Sequence, residues 1–466
     1  TANLFNTRAT TRRKYAGIFG SGKIGYRNAL FLEVTARNDW SSTLPSNNNS
    51  FFYPSASLSY VFTDLHRIGG SILSYGKIRA SYAQVGKDAP PYSERIYYLP
   101  ASGFPFNGVG GIRRGGIYAD STLVPEKQRS VEFGTELRFF KDRISLDVTV
   151  YESKNIDQIL SLPLSSASGY FNYLTNSGSL RNRGIEVEVS GTPIKTADIT
   201  WNMTINWSMN RNRVLSIKEG INEVPFYAEG RLTNKLVVGG SAADLFGIAY
   251  KRNADGRLII KDAPSAGAQI GRPDITPAAS DLWVKVGNAI PDWLGSINNS
   301  ISYKGFNLSA LLEVKKGGDV FDVTMRNSIR NGVLKITENR YEQVIFDGVK
   351  ASDGKLNDIP TILDENFYRD ANVFNNVADI ILQDASWVRL RNVSLSYTIP
   401  RKLLANSKTV KNINIGVTAS NFILQTPFKG YDPQSSAFGS GYNVYGFTGS
   451  NIPNYSSVLF TLNATF

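Results

Sequence analysis

The last nine residues of the chain alternate between two kinds of side chain. They read Val-Leu-Phe-Thr-Leu-Asn-Ala-Thr-Phe and end at Phe466. Successive side chains of an extended strand point to opposite faces, so residues 458, 460, 462, 464 and 466 share one wholly apolar face. The other face is mostly polar. A strand of this kind, closed by an aromatic residue, is typical of a membrane barrel with lipid outside and water inside.

The same alternation recurs upstream and is clearest between residues 201 and 212. The apolar positions are Trp201, Met203, Ile205, Trp207 and Met209. Asn, Thr and Ser occupy the positions between them. A soluble sandwich also alternates, but Trp and Met along one side of so long a strand, against Asn and Thr, favour a water-filled lumen.

The whole chain predicts about thirteen such strands from its alternating segments. They are residues 14–26, 30–40, 52–62, 75–85, 128–140, 143–156, 179–192, 199–214, 293–304, 306–316, 386–398, 411–423 and 457–466. Short connections, such as Lys304-Gly305, alternate with long ones, such as residues 317–385. Outer-membrane barrels have short turns toward the periplasm and long loops outside, which is the same arrangement.

We therefore predict an all-β fold, a transmembrane antiparallel β-barrel. Bacterial single-chain barrels have even strand numbers, whereas thirteen is odd. We expect residues 1–466 to be the C-terminal part of one barrel domain of about 22 strands, the number found in large plugged transporters. The chain starts at Thr1 without an initiating Met or an apolar leader, so we expect either that a leader was processed off or that this is a C-terminal piece with the early strands upstream.

The composition excludes several classes of site. The chain has no Cys and one His, His66, which removes disulfides, thiolate metal sites and clusters of His ligands. His66 lies in a predicted connection, and no coherent catalytic constellation accompanies it, so we predict that the protein is not an enzyme. No run of about 18 apolar residues predicts a transmembrane helix.

The net charge is +12, which raises the question of nucleic-acid binding. Lys and Arg are scattered along the sequence, with only short clusters. We therefore predict no nucleic-acid partner, and we assign the charge to a surface facing anionic lipid headgroups or to a partly basic lumen.

Residues 287–322 carry two motifs, Gly-Asn-Ala-Ile-Pro-Asp-Trp at the start and Gly-Gly-Asp-Val-Phe near the end. They frame a strand, a tight turn and a returning strand. This run resembles the SusC/RagA family of TonB-dependent outer-membrane transporters. Residues 384–400, the segment from Asn421 to Pro433, and residues 33–40 with Phe52-Tyr53-Pro54-Ser55 resemble the same family.

The resemblance implies an importer of oligosaccharides or peptides in the bacterial outer membrane. It also implies that a signal peptide, a small N-terminal extension, a TonB-contacting segment and a plug domain precede the barrel. The importer's partners would be a SusD-like surface lipoprotein that acts as a lid, and the TonB complex, which engages a segment before the barrel. Lipid and lipopolysaccharide would surround the strands. The barrel-assembly machinery would read the last strand, so Phe466 is the expected membrane-insertion signal.

Two alternatives remain open at this stage. A SusC-like barrel could serve as a structural or assembly component of a larger outer-membrane complex, because long loops offer partner-binding surfaces. A secreted β-rich adhesin or enzyme is the other alternative, and it would bury the apolar strand faces within the protein.

An importer of oligomers should bind them with aromatic and polar groups on its long loops and inner wall. The candidate substrate-binding residues are Tyr97, Tyr98, Phe104, Arg113, Arg114, Tyr170, Tyr173, Tyr431, Tyr442 and Tyr445. Phe428, Phe438 and Phe447 belong to the same last set of loop aromatics. Rings of this kind also pack loops together, which is the main alternative for each of them. Arg113 and Arg114, bracketed by glycines, are suited to an anionic substrate.

Residues 253–258 read Asn-Ala-Asp-Gly-Arg-Leu, where family members often carry a loop resembling a calcium site. Such a loop needs alternating oxygen ligands and a closing carboxylate, and Ala254 and Arg257 interrupt this pattern. A plain turn is our preferred interpretation, with calcium as the alternative. We predict no other cofactor and no other metal.

Overall fold

The computed structural model describes residues 10–101, 103–104, 106–405, 407, 409–438, 444–449 and 451–466. Thirteen strands follow one another in its main antiparallel sheet. They are β1 Tyr15–Tyr26, β2 Leu30–Ser41, β3 Ser50–Val61, β4 Leu73–Lys87, β5 Glu126–Phe139, β6 Ile144–Pro163, β7 Asn172–Lys195, β8 Ile199–Ile217, β9 Trp293–Tyr303, β10 Phe306–Lys316, β11 Trp387–Thr398, β12 Asn412–Gln425 and β13 Ser457–Thr465. Each corresponds to one predicted strand, which confirms the all-β fold class.

The largest differences from prediction lie in β6 and β7. β6 continues to Pro163 and β7 begins at Asn172, so the loop predicted over residues 157–178 is much shorter. Asp157, inside β6, has a positive φ of 58°. A left-handed residue within a strand interrupts the regular pleat, as a β-bulge does, and the period-two pattern weakens there.

The connections contain short elements of their own. The short strands are Tyr98–Pro100, Ile112–Arg114, Ile117–Ala119, Glu223–Glu229, Leu232–Val237, Asp244–Gly247, Leu258–Ile260, Val284–Asn288, Asp319–Asp322, Gln343–Val344, Gly348–Lys350, Thr361–Ile362, Leu382–Asp384 and Phe447–Thr448. The α-helices are α1 Phe62–His66, α2 Val323–Arg330, α3 Glu365–Arg369 and α4 Ala378–Ile381. Single 3-10 turns are Ser166–Ser168, Pro264–Gln269, Ser280–Leu282, Lys335–Thr337 and Arg401–Leu404. Within the described ranges, every helix is too short or too polar to cross a membrane.

The chain divides into two compact units. The first comprises the residues up to Ile185 together with Arg211–Val224 and Val237–Gly239. The second comprises Glu186–Asn210, Pro225–Leu236 and Gly240–Phe466. Strands β1–β6 belong to the first unit and β9–β13 to the second, while β7 and β8 contribute residues to both.

In the first unit, residues that lie opposite each other on neighbouring strands form uniform rows. One row across β1–β6 consists of Ile24, Leu32, Leu58, Ala80, Phe133 and Val150. The adjacent row consists of Lys23, Glu33, Ser57, Ser81, Glu132 and Tyr151. Opposite residues share a face of the sheet, so one face is apolar and the other polar. The apolar face is open, with Ile24 71% and Phe133 57% exposed.

The second unit repeats this arrangement with different residues. Its apolar row across β8–β13 is Trp201, Ile301, Leu308, Leu395, Val417 and Phe460. The adjacent row is Asn202, Ser300, Ser309, Ser394, Thr418 and Leu459. Open apolar faces of this extent suit lipid and are unfavourable in water. The predicted apolar and polar sides of the strands are therefore confirmed.

Short left-handed turns join several neighbouring strands. Arg27 and Asn28, between β1 and β2, have φ values of 49° and 51°. Lys304 and Gly305, between β9 and β10, have φ values of 46° and 93°. Positive φ at both central residues matches the right-handed twist of the flanking strands, which explains the tight connections that the sequence predicted.

Candidate functional site

Three tyrosines of the first unit form a continuous aromatic cluster on its loops, here called the tyrosine row: Tyr118, Tyr170 and Tyr173. The ring centroid of Tyr118 lies 5.1 Å from that of Tyr170 and 5.3 Å from that of Tyr173. Strand Ile117–Ala119 pairs in parallel with the start of β7 and places Tyr118 directly opposite Tyr173. Backbone pairing therefore fixes the backbone positions of two of the three tyrosines.

Two cations contact the ends of the tyrosine row. The guanidinium carbon of Arg114 lies 3.9 Å from the ring centroid of Tyr170, and Nζ of Lys218 lies 4.5 Å from that of Tyr173. Both are cation–π contacts, which hold the charge over the electron-rich face of a ring. Nη2 of Arg114 also donates a hydrogen bond to the carbonyl of Gly169 at 3.0 Å. Both cationic side chains are exposed.

Asp120 holds Tyr173 in place. Its carboxylate accepts hydrogen bonds from the hydroxyl of Tyr173 at 3.0 Å and from Oγ1 of Thr175 at 2.6 Å. Thr122 donates two more, from its backbone N at 2.8 Å and its Oγ1 at 2.6 Å. Burial alone would raise the pKa of Asp120, but these hydrogen bonds outweigh it and lower the pKa to about 2. The carboxylate is therefore ionised at neutral pH.

A small hairpin brings the first predicted set next to the tyrosine row. Strands Tyr98–Pro100 and Ile112–Arg114 pair so that Tyr98 lies opposite Arg114. The backbone carbonyl of Tyr97 accepts a hydrogen bond from the backbone N of Gly115 at 2.9 Å. The side chains of Tyr97 and Arg113 are both exposed. The ring of Phe104 covers Gly111 so closely that an added Cβ would lie 2.4 Å from it. Three of the predicted aromatic residues, Tyr97, Tyr98 and Phe104, thus belong to the same hairpin region as Arg114.

The second unit contains a separate cavity of about 510 Å³. Lys335, Lys429 and Tyr431 line it together with the apolar side chains of Met325, Leu334 and Ile336. Tyr431 is 73% exposed. Ligand pockets of roughly 300–1,000 Å³ are ordinary for small molecules, so the cavity is large enough for one unit of an oligomer.

The last set of predicted loop aromatics, from Phe428 to Phe447, does not form one cluster. Phe428 and Phe447 are only 6% and 2% exposed, and Phe447 packs edge-on against Tyr227 at 4.9 Å. For these two phenylalanines the structure favours the alternative of packing within the loops, because each belongs to a hydrophobic cluster there. Tyr445 is 44% exposed and has no ring contact with Tyr431 in the part of the chain that is described. Tyr442 lies outside the described residues.

The segment suggested for calcium is a turn held by its own hydrogen bonds. Oδ1 of Asn253 accepts hydrogen bonds from the backbone N of Asp255 at 3.1 Å and of Arg257 at 2.9 Å. The side-chain oxygen of Asn253, one of the candidate calcium ligands, is therefore already occupied by backbone donors. Among the described residues, no group of three or more His, Asp or Glu side chains could hold a metal ion. Calcium binding at this turn stays a prediction.

Sequence reasoning missed three residues of this site: Tyr118 in the tyrosine row, and Asp120 and Lys218, which contact Tyr173. Tyr118 follows a glycine pair in a long loop, the same signal that drew attention to Arg113 and Arg114. Lys218 carries no signal of its own, because it meets Tyr173 only through the fold. The structure joins Arg114, Tyr170 and Tyr173, which were predicted separately.

The fold and its two-faced strands define an outer-membrane β-barrel protein. A family model described as "TonB dependent receptor-like, beta-barrel" matches residues 1–422, and the chain belongs to this family. The family places the protein in the bacterial outer membrane, as predicted.

Curated relatives agree with this assignment. TonB-dependent receptor P26 of Formosa agariphila is 25% identical over 471 residues, covering 97% of this chain and 46% of the relative. TonB-dependent receptor SusC of Bacteroides thetaiotaomicron is 21% identical over 449 residues, covering 92% of this chain and 42% of SusC. The chain thus spans less than half the length of these relatives.

A solved structure of the RagAB peptide transporter shares the fold. Its TM-score is 0.77 at 20% sequence identity, covering 97% of this chain and 48% of that chain. Together with the SusC relative, this likeness confirms the resemblance to the SusC/RagA family that the motifs of residues 287–322 indicated.

Proposed function

We propose that this chain belongs to a TonB-dependent importer that carries oligosaccharides or peptides across the outer membrane. The observation that carries the proposal is the tyrosine row, a set of packed aromatic rings at the start of β7 and in the connections beside it, in a chain of the TonB-dependent receptor family. Rings that already pack on one another bind a flat or apolar group with little further loss of side-chain entropy. The polar strand face offers a hydrated wall for the captured oligomer.

The importer works with a SusD-like surface lipoprotein and with the TonB complex, which acts on the part of the protein before the barrel. The named relatives SusC and RagAB support this partnership. The long loops of the second unit also expose large apolar side chains, including Val333 and Tyr341, each 73% exposed. Large apolar residues on exposed loops are suited to a protein partner such as a lid.

Purification from native outer membrane in a gentle detergent tests the proposal. Mass spectrometry of every co-purifying chain and ligand should find a SusD-like lipoprotein and a bound sugar or peptide. A parallel purification of an unrelated barrel from the same membranes is the control. Assembly or secretion proteins without any nutrient ligand would contradict import and would identify the barrel as a scaffold.

Phe466 is the membrane-insertion signal in this proposal. It follows β13 directly and is 69% exposed, which leaves its ring free for recognition. Deleting Phe466 should reduce the amount of folded protein in the outer membrane several-fold, measured from its heat-modifiable band on gels. The control deletes Gly354, which lies in an open turn. Equal insertion of the two variants would mean that Phe466 serves only as an aromatic anchor at the membrane interface.

A further inference from the structure

The two cations at the ends of the tyrosine row, Arg114 and Lys218, form no ion pair within the described part of the chain. Neither Arg114 nor Lys218 has a carboxylate oxygen within 4.0 Å anywhere in the described ranges, although many other cations of the chain are paired in this way. One N–H of Arg114 is used by Gly169. The other N–H groups of the guanidinium and the ammonium of Lys218 remain available as charged donors.

The carboxylate of Asp120 forms no ion pair with either cation. Asp120 accepts four hydrogen bonds, from Tyr173, Thr175 and twice from Thr122. Its oxygens are therefore occupied by neutral donors. Asp120 acts as a positioning residue that fixes the ring of Tyr173, over which Lys218 lies.

We propose that the tyrosine row with Arg114 and Lys218 selects oligosaccharides that carry negative charges. The tyrosine faces would contact the apolar faces of the sugar rings, and the two cations would bind carboxylate or sulfate groups along the chain. A guanidinium matches the paired oxygens of both groups through two parallel hydrogen bonds. This inference rests on the proposed import function and narrows its substrate.

The backbone at the cluster favours a sugar over an acidic peptide. Extended peptides are commonly bound by adding a strand to an unpaired sheet edge. Here residues 172–174 already pair with Ile117–Ala119, and the carbonyl of Gly116 accepts hydrogen bonds from the backbone N of Phe171 and of Asn172. The cluster therefore offers ring faces and charges rather than the free main chain of β7.

Charge elsewhere on the protein supports the same ligand. Arg113 is exposed beside Arg114 in the same short strand. The whole chain carries a net charge of +12. A surplus of positive charge raises the local concentration of an anionic ligand and the rate at which it arrives, and this effect weakens with added salt.

Binding measured by calorimetry on the purified protein with its native partners tests the inference. The probes are a uronic-acid oligomer, a sulfated oligosaccharide, a neutral oligosaccharide of equal length, and a short poly-glutamate peptide. We expect either charged sugar to bind about tenfold or more tightly than the neutral one, because charged hydrogen bonds contribute more than neutral ones. The stronger of the two identifies the anionic group.

The double variant R114Q/K218Q should lose this preference for charged over neutral sugars. Both side chains are exposed, so the variant should fold, which a heat-modifiable gel band verifies. The matched control K141Q/R143Q removes the same charge from the tight turn between β5 and β6 and should keep the preference.

Three results would overturn the inference: equal binding of charged and neutral sugars, tighter binding of poly-glutamate than of either charged sugar, or an unchanged preference in R114Q/K218Q. Uptake of radiolabelled oligomers by cells is measured separately. Uptake without a charge preference would leave the import function standing and overturn this inference alone, whereas absence of any uptake would contradict the import function itself.

Discussion

Replacing Arg389 with alanine should lower the free energy of unfolding by about 3–5 kcal/mol, the usual effect of removing one partner from a buried ion pair. Arg389, on β11, and Asp432, in the connection after β12, have side chains only 2% and 3% exposed. Nη2 of Arg389 donates to Oδ1 of Asp432 at 2.7 Å. Without the arginine, the carboxylate would stay buried with no cation beside it.

Asp432 also organises the surrounding loop. Its carboxylate accepts hydrogen bonds from the backbone N of Gln434 at 3.0 Å and from the backbone N and Nδ2 of Asn454 at 3.0 and 2.8 Å. Burial raises the pKa of Asp432, but these hydrogen bonds and the charge of Arg389 lower it below its ordinary value. Its contribution to stability is therefore complete above the ordinary pKa of an aspartate and is lost as the pH falls through the lowered one.

Urea unfolding in lipid vesicles and limited proteolysis of residues 426–438 measure the effect. The control is Arg252→Ala, which breaks the exposed pair of Arg252 with Asp379 and should change stability by about 1 kcal/mol or less. Arg389→Ala should also expose residues 426–438 to protease at neutral pH. A variant as stable and as protected as the wild type would show that other contacts hold the loop.

The second large effect concerns the lipid-facing side of the strands. Ile297, near the middle of β9, lies opposite Ile205 and Leu312 in an apolar row. Replacing Ile297 with arginine should destabilise the folded barrel in a bilayer by about 2–4 kcal/mol, the cost of this charge at the midplane of the membrane. Its neighbour Asn298 points to the polar face, opposite Thr204.

Asn298→Arg is therefore the matched control, with the same charge introduced one residue away on the same strand. Folding into vesicles of neutral phospholipid, followed by urea titration, should separate the two variants by most of that free-energy difference. Equal stability of the two variants would contradict the assignment of the apolar rows to lipid.

The strands could be predicted because their constraint is local and repeated. Every second residue of a strand such as β8 must suit lipid, so the alternation of Trp201, Met203 and Ile205 is visible in the sequence. The prediction weakened where Asp157 interrupts the pleat of β6. Short turns were equally visible, since Lys304-Gly305 leaves little choice of conformation.

The loops were less predictable because their contacts join distant parts of the sequence. Tyr118 meets Tyr173 through a parallel pairing that no local pattern indicates, and Lys218 reaches the same ring from the end of β8. Phe428 and Phe447 resemble exposed loop aromatics in composition, yet they are buried, because these loops are long enough to enclose a core. A sequence shows which aromatic residues a loop contains but not which of them it encloses.

The polar face of the second unit has a further consequence. Two of its rows are made of hydroxyl and amide side chains with a single glycine and a single leucine, and neither row contains an ionised group. They are Asn202, Ser300, Ser309, Ser394, Thr418 and Leu459, and Thr200, Ser302, Asn307, Ser396, Gly416 and Thr461. A neutral hydrogen bond exchanged with water changes the free energy by only about 1 kcal/mol. A polar solute moving along this face would therefore exchange many weak hydrogen bonds in turn instead of breaking a few strong ones. The face would hold such a solute only weakly at any one position.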